Sequence, residues 1–157
     1  MAASNPQPAK GPAFSPKAEL LLTRTFDAPR ELVFKVWTDP KHVAQWWGPT
    51  GFTTTVEEMD VRPGGAWRYA MRGPDGKDYP FRGEYVEVLA PERLVFVGTI
   101  HEVHDHQVWT EILFAEEEGK TKITVRQLYS FESDATRGAP IGWSMQLDRL
   151  AKYLVAR

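Results

Sequence analysis

The chain has 157 residues, 42% hydrophobic and 25% charged, with a formal net charge of −2; such a chain is expected to form one soluble globular domain that buries a core without staples. It contains no cysteine, which excludes disulfides, thiolate metal sites and a cysteine nucleophile. The balanced charge shows none of the basic footprint of a nucleic-acid binder, and no apolar run approaches the roughly 18 residues of a membrane span.

Residues 1–16 carry Pro6, Pro8, Pro12 and Pro16 among small polar residues, with a lone Phe14. This stretch is read as a disordered tail, because it offers too little burial to offset its ordering entropy. It lacks the apolar core of a signal peptide, which together with the absence of cysteine suits a cytoplasmic location. Residues 17–157 are expected to form a single domain.

Glu19 to Phe26 favours a first strand. Asp27-Ala28-Pro29 opens a helix, since proline is tolerated in a first turn, and Val33, Val36 and Trp37 follow at helical spacing. Asp39-Pro40 starts a second short helix that ends at Gly48-Pro49, with Trp46 and Trp47 on its last turn. From Phe52 the signal becomes strands. Phe52 to Met59 is rich in Thr and Val, and Trp67, Tyr69 and Met71 alternate with Arg68, Ala70 and Arg72. Pro74-Asp75-Gly76 is a turn. Phe81 to Leu89, Leu94 to Ile100, Val108 to Ala115 and Lys122 to Tyr129 are further strands. The last element is a helix with Pro140 placed in its first turn. Trp143, Leu147, Leu150 and Leu154 fall on one arc of it, whereas Ile141 and Met145 lie on the other side. That leaves its first half apolar all round, as at a pocket mouth or through two scattered surface side chains.

This order predicts an α+β fold. A curved antiparallel sheet must cover its apolar face, and the C-terminal helix is the only long element available to do so. A curved sheet and a straight helix do not close along their full length, so a cavity is expected between them.

Asp27-Ala28-Pro29, Asp39-Pro40, Trp46-Trp47-Gly48-Pro49, Pro63-Gly64-Gly65, Gly73-Pro74-Asp75-Gly76 and Gly142-Trp143 through Leu147-Asp148-Arg149-Leu150 together resemble the prokaryotic family related to activators of heat shock protein 90 ATPase, within the START-like (SRPBCC) superfamily. The likeness runs from about residue 19 to 156. It implies the helix-grip fold: a curved antiparallel sheet wrapped around a long C-terminal helix, with two short helices after the first strand. Lipid carriers, plant ligand-binding proteins, polyketide cyclases and dioxygenase subunits share that superfamily, and fold alone does not choose among them.

An aromatic set, Trp46, Trp47, Trp67, Tyr69, Tyr85, Phe96, Trp109 and Trp143, is expected to supply ligand-binding side chains around the cavity, with Glu111 as an inward charge. The competing reading is a core filled by its own rings. His101, His104 and His106, beside Glu102 and Asp105, have a composition able to bind a divalent metal, but their spacing fits no structural zinc pattern and a solvated loop explains them, so no metal or other cofactor is expected. Glu87, Glu111 and Arg126 sit within strands, and an inward one would suit acid–base work. No Gly-x-Ser-x-Gly elbow, GxGxxG or Walker loop is present, and no complete catalytic set emerges. The resulting expectation is a binding protein for a small, mostly apolar or aromatic molecule, with a link to stress response through the family. A cyclase or lyase using Tyr69, Tyr85, Glu111 or Arg126 is the alternative. A co-chaperone-like module that meets a chaperone or other protein through Ile141 and Met145 is a third. A homodimer is compatible with all three.

Overall fold

The structure, a computed structural model, describes residues 10–100 and 106–156. Its elements are β1 (Ala18–Phe26), α1 (Arg30–Thr38), α2 (Pro40–Trp46), β2 (Thr53–Met59), β3 (Ala66–Arg72), β4 (Asp78–Leu89), β5 (Arg93–Ile100), β6 (Gln107–Glu117), β7 (Lys120–Tyr129) and α3 (Asp134–Ala156). The seven strands form one antiparallel sheet in the order β1-β7-β6-β5-β4-β3-β2. β1 and β2 follow one another in the chain yet occupy opposite edges, so α1 and α2 must cross the width of the sheet to join them. Register shifts at Val56/Glu58 and at Tyr85/Glu87 are the extra-residue irregularities that bend and coil a sheet. With α3 on the concave face, this is the helix-grip arrangement expected from the sequence. No helix of the described residues is long and apolar enough to cross a membrane.

Local chemistry sets the helix limits. Asp39 caps α2 by accepting from the Lys41 N–H at 2.9 Å, with Pro40 as the first helical residue, which lacks the N–H that this position leaves unpaired. Gly48, at φ 102°, ends the element, as the left-handed position after a helix requires. α3 begins earlier than the sequence suggested. Its first residue is Asp134, and Pro140 lies inside it. The start is fixed by Ser133, whose hydroxyl accepts from the Ala135 N–H while its own N–H donates to Thr136 Oγ1. This is a reciprocal cap with Thr in the place usually held by Glu or Gln.

The concave face carries aligned rows of side chains that grade along the strands. At one end, Phe114 pairs with Ile123, and next to it Ile112 with Val125. All four are buried, together with Val33, Val36, Val43 and Trp46 of the short helices and Leu147, Leu150 and Leu154 of α3. Further along, one row runs Tyr85, Phe96, Thr110, Gln127 and the next Trp67, Gly83, Gly98, Val108, Tyr129. The core therefore sits under the second half of α3, where the leucine stripe lies. The first half of α3 faces the rows of aromatic and polar residues.

The convex face has its own small cluster of Val95, Trp109 and Leu128, with Phe14 packed against it. The Trp109 indole donates to the Lys10 carbonyl at 2.8 Å, and the Lys17 N–H donates to the Tyr129 carbonyl. The part of the expected tail that is described thus runs along this face rather than leaving it. The apolar contact of Phe14 and the indole bond supply the interactions that composition alone did not reveal.

Candidate functional site

A cavity of about 320 Å³ lies between the first half of α3 and the sheet. Its sheet side is formed by Trp67, Met71, Phe81, Phe96, Val108 and Tyr129, and its helix side by Ala135, Gly138, Ala139, Gly142, Trp143 and Gln146. Trp47 and Pro49 close it at one side, and Gly98, Thr99, Thr110, Gln127 and Phe131 complete the described wall. The volume has a simple origin. The second half of α3 offers Leu147, Leu150 and Leu154 to the sheet and fills its space. In the first half the same arc continues through Trp143, Ala139 and Thr136, and beside it lie the small residues Ala135, Gly138 and Gly142, which leave the neighbouring space open. A Cβ placed on Gly138 or Gly142 would meet nothing within 4 Å. Ala135 and Gly138 are exposed, so the cavity reaches solvent beside the first turns of α3.

The floor depends on a glycine pair. Gly83 and Gly98 are direct cross-strand partners, and the Trp67 indole lies over both. A Cβ at Gly83 would come within 2.7 Å of that ring and one at Gly98 within 2.6 Å. Any side chain there would displace Trp67 from the wall.

A buried polar network stands beside the apolar surface. The Gln127 carbonyl oxygen accepts from the Trp143 indole N–H at 2.8 Å and from the Tyr129 hydroxyl, while Gln127 Nε2 donates to Thr110 Oγ1 at 2.9 Å. This ties α3 to β6 and β7 and fixes the Trp143 ring. α3 also holds the loop after α2. Gln146 Oε1 accepts from the Gly48 N–H at 2.9 Å, and Arg149 donates to the carbonyls of Trp47, Gly48 and Pro49 at 2.9–3.2 Å. Trp47 is thereby positioned edge-on to Trp143 at 5.8 Å and to Tyr69 at 5.3 Å. Burial lowers the Arg149 pKa from its ordinary value.

A second void of about 10 Å³ lies beside the main cavity, among Trp37, Trp47, Trp67, Tyr69, Tyr85, Leu94 and Phe96. It is about the size of one water-sized sphere. Burial raises Tyr69 well above the usual phenol value, with Tyr85 adding to the effect. Burial likewise pushes Tyr85 up to about 12, against an opposing hydrogen bond from Tyr69. Burial raises Tyr129 as well. All three are therefore neutral hydroxyls near pH 7.

The expected site residues separate into groups. Trp47, Trp67, Phe96 and Trp143 lie together on the main cavity wall, while Tyr69 and Tyr85 border only the small void. Trp46 is a core residue, fully buried, with its indole donating to the Val36 carbonyl at 2.9 Å. Trp109 and Glu111 are corrected to the convex face. In β6 it is Val108, Thr110 and Ile112 that point inward, leaving the residues between them outside. There Glu111 lies 3.6 Å from Arg93, which also meets Glu87 at 3.0 Å, and Arg126 pairs with Glu19. These ion pairs account for the charges that the sequence offered as acid–base candidates. His101 and His104 lie outside the described residues, and the His106 ring stacks on Phe131 at 4.0 Å. Among the described residues no group of three His, Asp or Glu is placed to hold a metal. Sequence reasoning missed Gln127, Tyr129 and Gln146. The parity of β7 offered a signal for the first two, because Ile123 and Val125 set the inward phase that both share.

The model of the family Activator of Hsp90 ATPase homolog 1-like protein matches residues 27–155. The chain belongs to this family. Solved structures share the fold across most of the chain. Protein CV1439 from Chromobacterium violaceum is 28% identical, with a TM-score of 0.78, over 85% of this chain and 94% of that one. Protein Ms6760 from Mycobacterium smegmatis is 27% identical, with a TM-score of 0.77, over 88% and 91%. DynU16, a protein of the dynemicin biosynthetic locus, shares the fold at 22% identity and a TM-score of 0.73, over 90% of this chain but 48% of its own. No curated protein matches the chain. The matched span includes the Trp47–Pro49 loop and the α3 residues that hold it, Gln146 and Arg149.

Proposed function

We propose that this protein binds one small, mostly apolar molecule between the first half of α3 and the sheet. The observation that carries this reading is the cavity of about 320 Å³, at the lower end of the range of small-molecule sites. It is left open by the small residues Ala135, Gly138, Ala139 and Gly142 on α3. Trp47, Trp67, Phe96 and Trp143 supply flat apolar surface, and the described wall carries no Asp, Glu, Lys, Arg or His. A cytoplasmic setting and a role in stress response belong to the same proposal and follow from the composition and the family.

Native mass spectrometry of the protein as purified from cells tests the reading. A non-covalent mass is expected that leaves on acid denaturation and is lost in Gly142→Leu, whose side chain enters the open volume. A wild-type protein that retains no small molecule and binds no neutral aromatic probe saturably would contradict it. A cyclase or lyase reading is left with Tyr69 and Tyr85, which burial holds protonated as hydrogen-bond donors rather than bases. A protein-partner reading rests on Ile141 and Met145, 66% and 38% exposed on α3, and a pull-down unaffected by Ile141→Asp would count against it.

A further inference from the structure

The convex face of the sheet carries a contact that the cavity does not use. Leu128, Trp109 and Val97 are direct cross-strand partners, and with Val86 and Val95 they form an apolar patch on the side away from α3. Polar rows flank it: Gln107, Thr99, Arg82 and Arg68 partner one another in line on one side, and Glu111 lies beside Arg93 on the other. An apolar patch with a polar rim is the anatomy of a surface that receives another chain. Residues 10–17 show how it does so. They form neither helix nor strand, and Pro12 and Pro16 bias themselves and the residues before them toward extended backbone. Phe14 packs half-buried on the patch, and the Trp109 indole donates to the Lys10 carbonyl at 2.8 Å. Aromatic surfaces that take a pre-extended, proline-containing segment are a recurring mode of peptide recognition. This arm does not fill the face. A groove of about 570 Å³ starts at Ala13 and Phe14 and runs over Val97, Glu84, Arg82 and Arg68. Arg68 is met by Glu57 at 3.3 Å and Glu58 at 3.6 Å. Arg82, directly opposite Arg68, has no ion-pair partner among the described residues and is exposed, and like charges so placed repel. Residues 1–17 contain Lys10 and Lys17 and no acidic residue, so the arm supplies the anchor but not the charge that would complement Arg82.

We infer that the convex face is a second binding site, for an extended segment of a partner protein that carries proline, an aromatic anchor and a neighbouring acidic residue, and that residues 10–17 occupy its anchor seat in cis. The arm then acts as a threshold. A segment that offers the anchor alone competes with a tethered copy of itself, whereas one that also reaches Arg82 displaces the arm.

Calorimetric titration of the full chain tests this with a synthetic core peptide of the arm's own sequence, residues 9–16, and with the same peptide extended at either end by glutamates or by lysines. Phe14→Ala, which clears the anchor seat, is expected to bind the core peptide about ten-fold or more tightly than the unaltered chain, whose arm competes at a roughly millimolar effective concentration. Replacing the peptide's phenylalanine by alanine should abolish that binding. For the unaltered chain, the better glutamate extension should bind about ten-fold more tightly than the core or the lysine version, the scale of one charge-assisted hydrogen bond, and Arg82→Gln should remove the gain. The glutamate peptide should also shift the Trp109 indole N–H resonance of the unaltered chain, a readout independent of whether the variants fold; no shift overturns the proposal. A core peptide that binds Phe14→Ala no better than the unaltered chain overturns the seat held in cis. Equal binding of the glutamate and lysine peptides overturns the acidic partner. A dimer of the unaltered chain that the core peptide disperses would assign the face to a second copy and overturn the partner reading.

Discussion

Replacing Gly142 with alanine tests whether the space under α3 is real. Glycine inside a helix is less favourable than alanine by about 1 kcal/mol, through backbone entropy. In a packed helix–sheet interface that gain is cancelled by the added methyl group, which strains its neighbours. Here the new Cβ meets no heavy atom within 4 Å, so the gain should survive. Gly142→Ala is therefore expected to stabilise the protein by about 1 kcal/mol, or about 2–4 °C in Tm for a domain of this size. Gly138 is equally open, and the double variant should gain about 2 kcal/mol if the two sites add. Urea unfolding followed by tryptophan fluorescence, paired with calorimetry, measures both. A loss of about 1 kcal/mol or more in Gly142→Ala would mean that helix and sheet touch at this level. The origin given above for the cavity would then be wrong.

Gly98→Ala should act in the opposite sense, because its Cβ would lie 2.5 Å from the Arg82 carbonyl oxygen and 2.6 Å from the Trp67 ring; a loss of about 3 kcal/mol is expected in the same unfolding assay. Arg149→Met removes the donor to three loop carbonyls and should cost about 1–2 kcal/mol, given the partial exposure of the guanidinium, with a changed near-ultraviolet circular dichroism signal from Trp47. The buried tyrosines set an alkaline limit. Tyr85 is raised to about 12, and Tyr69 and Tyr129 are also raised by burial, while an unfolded phenol titrates near 10. The unfolded chain therefore gives up protons that the folded one retains, so their contribution is complete below pH ~10 and is lost as pH rises toward ~12. Stability that stays flat across that interval, in a denaturant series, would refute the assignment.

The architecture was legible because its signals are periodic. Trp67, Tyr69 and Met71 alternate as a half-buried strand must, and Trp143, Leu147, Leu150 and Leu154 recur as a gripped helix must. Each of the seven strands is found where the sequence reading placed it, with limits moved by a few residues. The start of α3 was hidden because Pro140 resembles a first-turn residue, whereas the Ser133 cap uses an uncommon partner in Thr136. The site was less legible, and β6 shows why. Its inward face bears Thr110 while its outward face bears Trp109, the reverse of what hydrophobicity suggests. Phe14 and the Lys10 carbonyl make the outward tryptophan a sheltered residue, and a contact from so far away leaves no mark on local pattern. Gln127 and Gln146 were missed for a related reason. A buried glutamine reads as surface until the N–H groups that oppose its oxygen are located.

The division of α3 into a filled half and an open half has a consequence for how such a protein can change. Substitutions at Ala135, Gly138, Ala139 and Gly142 alter the size and shape of the enclosed space, while the leucines that hold the helix to the sheet begin only at Leu147. The shape of that space can thus change by small steps along one stretch of helix while the packed half of the helix is left intact. The stretch is bounded by Gln146 and Arg149, where the helix grips the Trp47–Pro49 loop. Beyond that point the same kind of substitution would be charged against stability.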